Sequence, residues 1–394
     1  MNAKDSKDLR SDTPCQAQDV VEIVDDLLAK AVAAGASDVH FEPTGAGLKV
    51  KYRLDGVLNP VESLPAVVAD NVVARLKVLG GLLTYRNDIP QEGRLELTGA
   101  PAEQVTDIRL AVFPTIYGQR AVVRLFYRRE DLMDLAHLGL APQIESQLKS
   151  IAAQSQGVLL VTGPAGSGKS TTLAAVLRYI ARTFPGKSIV TLEDPVEIRI
   201  EGVTQSPITP HGQMTFPTAL RSLLRQDPQV LMIGEIRDAE TARIAIEAGL
   251  TGHLLMSTLH SGTPAGALLR LLEMGIEPYQ VTSSVSAVVS QRLIRRLCEK
   301  CRKGQEDRYV PVGCPACLHT GFRGRVLIAE MVQLDSRLRK ALLGKADLDE
   351  LQTLLATRGH AGLMAHGRRL VEGGITTQDE LWTACGMTEN DPCM

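Results

Sequence analysis

The sharpest chemistry in the chain lies in nine consecutive residues: Gly163, Pro164, Ala165, Gly166, Ser167, Gly168, Lys169, Ser170 and Thr171. The first eight spell Gly-x-x-x-x-Gly-Lys-Ser, a loop whose glycines let successive backbone N–H groups turn toward phosphate oxygens. An apolar run, Gly157–Val161, precedes it and a helical pattern, Ser170–Arg182, follows. The loop therefore sits at the positive end of a helix. There Lys169 reaches the β- and γ-phosphates, and the Ser170 hydroxyl enters the shell of a Mg²⁺ ion. The motif names a ligand class, a nucleoside triphosphate such as ATP.

Cleaving that ligand needs a carboxylate as well. Leu231–Glu235 is an apolar strand ending in one, and ligands of open α/β sheets sit at the C-terminal edge. Glu235 is the candidate to orient and activate the attacking water. The alternative is a solvated carboxylate opening the helix expected over Asp238–Ala248. Elsewhere Cys298, Cys301, Cys314 and Cys317 form two Cys-x-x-Cys pairs twelve residues apart. Two such knuckles complete a closed tetrahedral Zn²⁺ site, structural in kind. Free thiols, two disulfides, or His319 in place of one sulfur are the alternatives. Cys15, Cys385 and Cys393 show no partner pattern.

These groups need a scaffold, and the length suits two or three domains at roughly 150 residues each. Of the 394 residues, 44% are hydrophobic and 22% charged, which excludes a largely disordered chain. The 43 basic and 45 acidic side chains nearly cancel, so global charge gives no support to a nucleic-acid protein. No run approaches the roughly 18 apolar residues of a membrane span. The polar N-terminus is no secretory signal, and so few cysteines suit a reducing compartment. A cytoplasmic protein is expected.

Residues 1–18 read as a disordered tail. Residues 19–126 read as an α+β domain with a helix from Asp19 to Gly35 and another at Val67–Leu79. Its strands are expected at Asp38–Phe41, Leu48–Tyr52, Gly93–Leu97, Thr106–Val112 and Arg120–Phe126. A charge-rich linker, 127–140, leads into 141–394. There strands at Gly157–Val161, Ser188–Leu192, Leu231–Ile233 and His253–Ser257 alternate with helices, predicting a mainly parallel sheet covered by helices. Residues 298–325 hold the cysteine element, and 335–394 read as helices separated by glycines.

Further motifs surround the phosphate loop. Thr191–Glu197 is similar to an aspartate box, Leu220–Asp238 to a Walker B region, and Thr251–His260 to a histidine box. Ala36–Pro43, Tyr52–Gly56, Pro90–Arg94 and Phe113–Arg120 also fit. Together they make the chain resemble the secretion ATPase superfamily, specifically the type II secretion and type IV pilus assembly ATPases, from about residue 20 to at least residue 335. The resemblance implies an α/β fold: a P-loop, RecA-like ATPase domain preceded by a smaller α+β, PAS-like domain. It also implies a zinc-binding tetracysteine insertion and a C-terminal helical region.

The implied assembly is a homohexameric ring on the inner face of the cytoplasmic membrane, with ATP bound between domains and near the neighbouring subunit. Its partners would be an inner-membrane platform protein or a cytoplasmic-domain adaptor, with no direct nucleic acid, and its turnover would move pilin-like subunits. The resemblance further implies that Glu193, Asp194 and Glu197, just after the strand next to the phosphate loop, hold Mg²⁺ through water. It implies that His253 and His260 sense the γ-phosphate, and that Arg94 and Arg109 bring guanidinium charge to the phosphates. Read as residues alone, Glu197 can cap a turn, either histidine can be a satisfied core residue, and both arginines can be exposed strand residues.

Longer members of the family carry an extra N-terminal domain that docks on the platform. Only about twenty residues precede the matched region here, so that domain is expected to be missing. Ser261–Pro264 stands where an Asn-Asp pair is common, and Gln229 replaces a frequent acid. Type II secretion leads among the readings, followed by type IV pilus assembly. A nucleic-acid-translocating ring would draw on Gln291–Arg296, read as a basic helical stretch. A non-hydrolysing assembly subunit is opposed by the intact Lys169, Ser170 and Glu235.

Overall fold

The computed structural model describes residues 15–96, 105–127, 132, 134–208, 214–305, 308–357 and 360–387. The chain divides into two compact units, Met1–Arg128 and Arg129–Met394.

In the first unit α1 (Cys15–Ala33) starts four residues before the expected Asp19. The rest of the expected tail, 1–14, lies outside the described residues, as do Leu97 and parts of the expected linker. After α1 come β1 (Asp38–Thr44), β2 (Gly47–Leu54), β3 (Val57–Pro65), α2 (Ala66–Leu79), β4 (Gln91–Arg94), β5 (Val105–Thr115) and β6 (Gly118–Tyr127). They build an antiparallel sheet in the order β3-β2-β1-β6-β5-β4. Alternation fixes its faces. Val39, Phe41, Val50, Tyr52, Leu110 and Val123 pack with Leu27, Leu28, Val72 and Leu76 of the two helices. The Tyr52 hydroxyl donates to Leu27 O at 2.6 Å and ties α1 down. Asp38, His40 and Glu42 alternate with these core positions and carry a charged ladder. Asp38 pairs with Arg124 at 2.9 Å, and Glu42 with Lys51 at 2.6 Å and Arg120 at 3.2 Å.

The second unit opens with α3 (Pro142–Ala152), β7 (Gly157–Thr162), α4 (Lys169–Thr183), β8 (Ile189–Glu193) and β9 (Thr204–Pro207). It continues through α5 (Phe216–Leu223), β10 (Val230–Ile233), α6 (Ala239–Leu250), β11 (Leu254–Leu259), α7 (Pro264–Glu273) and α8 (Pro278–Ser284). Then follow β12 (Val285–Leu297), the hairpin β13 (Lys303–Gln305) and β14 (Arg308–Val310), β15 (Phe322–Gln333), and the helices α9 (Ser336–Leu343), α10 (Leu348–Thr357), α11 (Leu363–Glu372) and α12 (Gln378–Cys385). The main sheet runs β15-β12-β7-β11-β10-β8-β9 and is parallel except for the β12–β15 pair.

Every residue of β7, β10 and β11 is buried, because both faces of the sheet are covered. Val158 and Leu160 pack with α6, α7 and α8 on one side. Leu159 and Val161 pack with α3 and α4 on the other. Ile294 and Ile328 form a smaller core with Leu363 of α11 and Leu381 of α12.

Two expectations change. Gln291–Arg296 is not a helix: it lies in β12, paired to β15, and its buried positions, Gln291 and Ile294, stand three apart, a spacing that mimics a helical face. Nor is β8 the neighbour of the phosphate-loop strand, since β10 and β11 lie between them.

Candidate nucleotide site

The loop 163–168 joins β7 to α4 and takes three glycine-only turns, with φ of 149° at Gly163, 74° at Gly166 and 88° at Gly168. A Cβ on Gly163 would lie 2.5 Å from Gln291 O and 2.6 Å from Ser167 Oγ, so the loop closes only around a glycine there. Ser167 Oγ is buried without a hydrogen-bond partner. Lys169 Nζ donates to the carbonyls of Gly163 at 2.9 Å and Pro164 at 3.0 Å. Burial pushes the ammonium below its usual range, with Glu235 partly opposing that. A cation folded over a glycine loop at a helix N-terminus fits a phosphate chain.

A cleft of about 190 Å³ at this C-terminal edge is lined by Lys169, Ser170, Glu193, Asp194, Glu197 and Glu235, with Thr258 and His260 beside them. Leu173, Phe216 and Met232 give it an apolar wall. The sequence-predicted carboxylates thus reach one cavity although their strands are not neighbours of β7. Glu193 is held by Thr191 Oγ1, which donates at 2.6 Å, and by Gln205 Nε2 at 3.0 Å. Glu235 follows Gly234, whose carbonyl accepts from Thr258 Oγ1 at 2.8 Å. One Glu235 oxygen is bound by the Arg237 guanidinium, and the other is 3.4 Å from His260 Nε2. Burial would raise the Glu235 pKa, but Arg237 and His260 outweigh it and hold the carboxyl below its usual range. Arg237 also lies 3.9 Å from Asp194.

His253 is not brought to the cleft. It precedes β11, at the opposite edge of the parallel sheet from His260, and its Nδ1 is 3.2 Å from Ala248 O. Arg94 and Arg109 belong to the first unit and stand opposite each other on β4 and β5. Asp107 sits 3.9 Å from Arg94 and 3.1 Å from Arg109, and Arg109 also stacks over Phe126. Sequence reading missed Arg237, Thr258 and Gln291. Arg237 could have been found from its position two residues after Glu235, but nothing in the pattern marks Gln291.

The four sulfurs of Cys298, Cys301, Cys314 and Cys317 gather within 4.8 Å of one another. Cys298–Cys314 measures 3.9 Å, while Cys301–Cys317 and Cys314–Cys317 measure 3.8 Å. A disulfide needs about 2.05 Å, so the two-disulfide alternative fails. A tetrahedron with Zn–S of about 2.3 Å has edges of about 3.8 Å, which these spacings fit. His319 is outside the cluster, and its backbone N–H donates to Cys314 O at 2.9 Å. Burial opposes ionisation of Cys317, but N–H donors from Cys314 and Gly321 bring it down to about 7, while burial pushes the neighbouring Cys301 up to about 11, so Cys317 is the first of the two to reach the thiolate a metal requires.

The sequence profile of the family described as type II/IV secretion system protein matches residues 15–383. The putative type II secretion system protein E of Escherichia coli K12 is 38% identical over 94% of this chain and 77% of its own length. Type II secretion system protein HxcR of Pseudomonas aeruginosa is 40% identical over 92% of this chain and 76% of its own. The type IV pilus assembly ATPase PilB of Thermus thermophilus is 38% identical over 91% of this chain, which spans only 42% of that protein. Among solved structures, the ATPase DotB of Yersinia pseudotuberculosis superposes with a TM-score of 0.67 at 21% identity, covering 98% of each chain. The pilus retraction motor PilT with bound ADP gives 0.61 at 24%, covering 93% of this chain and 97% of its own. Those two likenesses are of fold. No helix among the described residues is long and apolar enough to cross a membrane. With a profile running through both units and relatives near 40% identity over nine-tenths of its length, the chain belongs to the type II/IV secretion system protein family and carries that family's ATPase domain.

Proposed function

We propose that the chain hydrolyses ATP in the cleft beside Lys169 and uses the energy, as a homohexamer, to power type II protein secretion. The observation that carries this is the meeting of a phosphate loop with four carboxylates, Glu193, Asp194, Glu197 and Glu235, in one cavity. Backbone amides of 163–170 hold the phosphates. Lys169 leaves the Gly163 and Pro164 carbonyls for the β- and γ-oxygens. Ser170, with Glu193, Asp194 and Glu197 acting through water, holds Mg²⁺, which when bound neutralises charge building on the phosphoryl oxygens. Glu235 orients the attacking water and takes its proton. His260, beside it, reports on the γ-phosphate.

The four cysteines hold a structural Zn²⁺. The motor docks on an inner-membrane platform protein or a cytoplasmic-domain adaptor, on the inner face of the membrane. Type IV pilus assembly is the second reading, favoured by the 38% identity to the Thermus pilus ATPase. The nucleic-acid reading loses its local support. Arg292 binds Gly262 O at 2.7 Å, Arg295 pairs with Glu380 at 2.5 Å and Arg296 with Glu299 at 2.5 Å, so the basic stretch is engaged within the fold. Affinity purification from detergent-solubilised membranes tests the proposal: a type II secretion platform protein is expected to co-purify. Recovery of a pilus platform protein instead would move the chain to the second reading.

A further inference from the structure

Gln291 is wholly buried, carries no charge, and belongs to neither the phosphate loop nor the carboxylate set. It stands on β12 immediately after Ser290, the residue paired with Thr162 at the end of β7, so it lies directly beside the start of the loop. Its Nε2 donates to Ser167 O at 2.8 Å, and its Oε1 accepts from Thr172 Oγ1, in the first turns of α4, at 3.0 Å. A Cβ on Gly168 would lie 3.2 Å from that Nε2. The amide is therefore pressed against the Ser167–Gly168 peptide. A peptide unit is planar and trans, with its carbonyl and N–H pointing in opposite directions. Fixing Ser167 O on Gln291 aims the Gly168 N–H away from β12.

We propose that Gln291 is the positioning residue of the phosphate loop: it fixes the Ser167–Gly168 peptide so that the Gly168 N–H faces the phosphates. This rests on the reading of 163–170 as the ATP site. A buried glutamine suits the role because it satisfies a donor and an acceptor at once, whereas an apolar residue would leave Ser167 O and Thr172 Oγ1 both unpaired. The same strand residue gives its own carbonyl to Arg292 Nη1 at 2.9 Å, and Arg292 Nη2 binds Gly262 O, two residues past His260, at 2.7 Å. The loop and the histidine segment are thus held from one point of β12.

The test compares Gln291→Met, Thr172→Val and Lys169→Ala in the full chain, reading the Kd for Mg–ADP, the KM and kcat for ATP, and the thermal midpoint. Gln291→Met removes both side-chain bonds. Thr172→Val removes only the bond that does not touch the loop. We expect both to lower the thermal midpoint, while Gln291→Met alone raises Kd and KM about tenfold with kcat changed much less, as for a loss of ground-state phosphate binding. Nucleotide affinity unchanged in Gln291→Met, or weakened equally in Thr172→Val, overturns the proposal and shows a packing role. Binding by the unaltered chain that Lys169→Ala leaves intact overturns the ATP-site reading itself. If the methionine variant does not fold, Gln291→Asn, one methylene shorter, retracts the amide from Ser167 O and gives the same readout.

Discussion

Stripping metal from the cysteine cluster should loosen a defined part of the second unit and leave the rest intact. The sulfur spacings of 3.8–3.9 Å are those of a tetrahedral Zn–S₄ centre, in which four thiolates from two knuckles share one ion. The knuckles cannot hold that geometry by packing alone, since only Cys298 and Cys317 among the four are buried. Beside them, the element and the end of β12 are joined to the C-terminal segment by three hydrogen bonds and by the Arg295–Glu380 ion pair. Leu297 N donates to Ile375 O at 2.8 Å, Arg302 Nη1 to Gly374 O at 2.5 Å, and Thr376 Oγ1 to Arg295 O at 2.8 Å. At about 1 kcal/mol for each net hydrogen bond, these three bonds are worth about 3 kcal/mol, beside the Arg295–Glu380 ion pair that also crosses the seam and needs no metal. Cys314→Ser, or chelation of the reduced protein, should therefore raise amide exchange across 298–321 and 363–385 by about two orders of magnitude, while β7, β10 and β11 keep their protection. Metal analysis of the unaltered chain should find about one zinc per chain. No zinc in freshly purified, reduced protein, or exchange unchanged by chelation, would refute the reasoning.

Two further outcomes follow from packing and charge. His40 is held below its usual pKa by burial first and then by Arg120 and Arg53, with Asp38 and Glu42 opposing. Below pH about 6.5 the unfolded chain therefore binds the proton that the folded chain refuses. Stability contributed by neutral His40 is full above pH 6.5 and is lost as pH falls toward the folded-state value. Urea titrations of the unaltered chain and His40→Gln should show a difference that is constant above pH 7 and changes on acidification to pH 5; a pH-independent difference would contradict this. Gly249 on α6 faces β7 so closely that an added Cβ would lie 2.4 Å from Val158 Cγ2. Because Val158 is fully buried and stiff at χ1, Gly249→Ala should cost about 1–3 kcal/mol, measured by urea unfolding, and a neutral result would show that α6 can retreat.

The parts of the site written in local spacing were legible in the sequence. The phosphate loop needs its glycines and lysine at fixed offsets, and the four cysteines need their x-x spacing, so both are written along the chain. Glu235 was legible because an apolar strand delivers it to the sheet edge. Position in the sheet was not legible. Glu193 looked adjacent to the phosphate loop because its strand is next in sequence, yet β11 and β10 intervene. The strand β3 escaped notice because it is largely exposed and contains Pro60, leaving no apolar alternation to read. The segment 291–296 was misread because its apolar and basic residues match a helical face as well as a strand, and only pairing to β15 decides. His253 and His260 share one motif, but the six-residue strand between them carries them to opposite edges of the sheet.

Steady-state ATP hydrolysis by the unaltered chain and Glu235→Gln, measured over a range of protein concentrations alongside Mg–ATP binding, tests the central claim most directly. The account predicts binding in both proteins and a loss of turnover of about 10²–10⁴-fold in the variant, the usual worth of a positioned general base. It also predicts specific activity in the unaltered chain that rises with concentration as the ring assembles. Turnover that survives Glu235→Gln would contradict the assignment of this cleft as the place where ATP is cleaved.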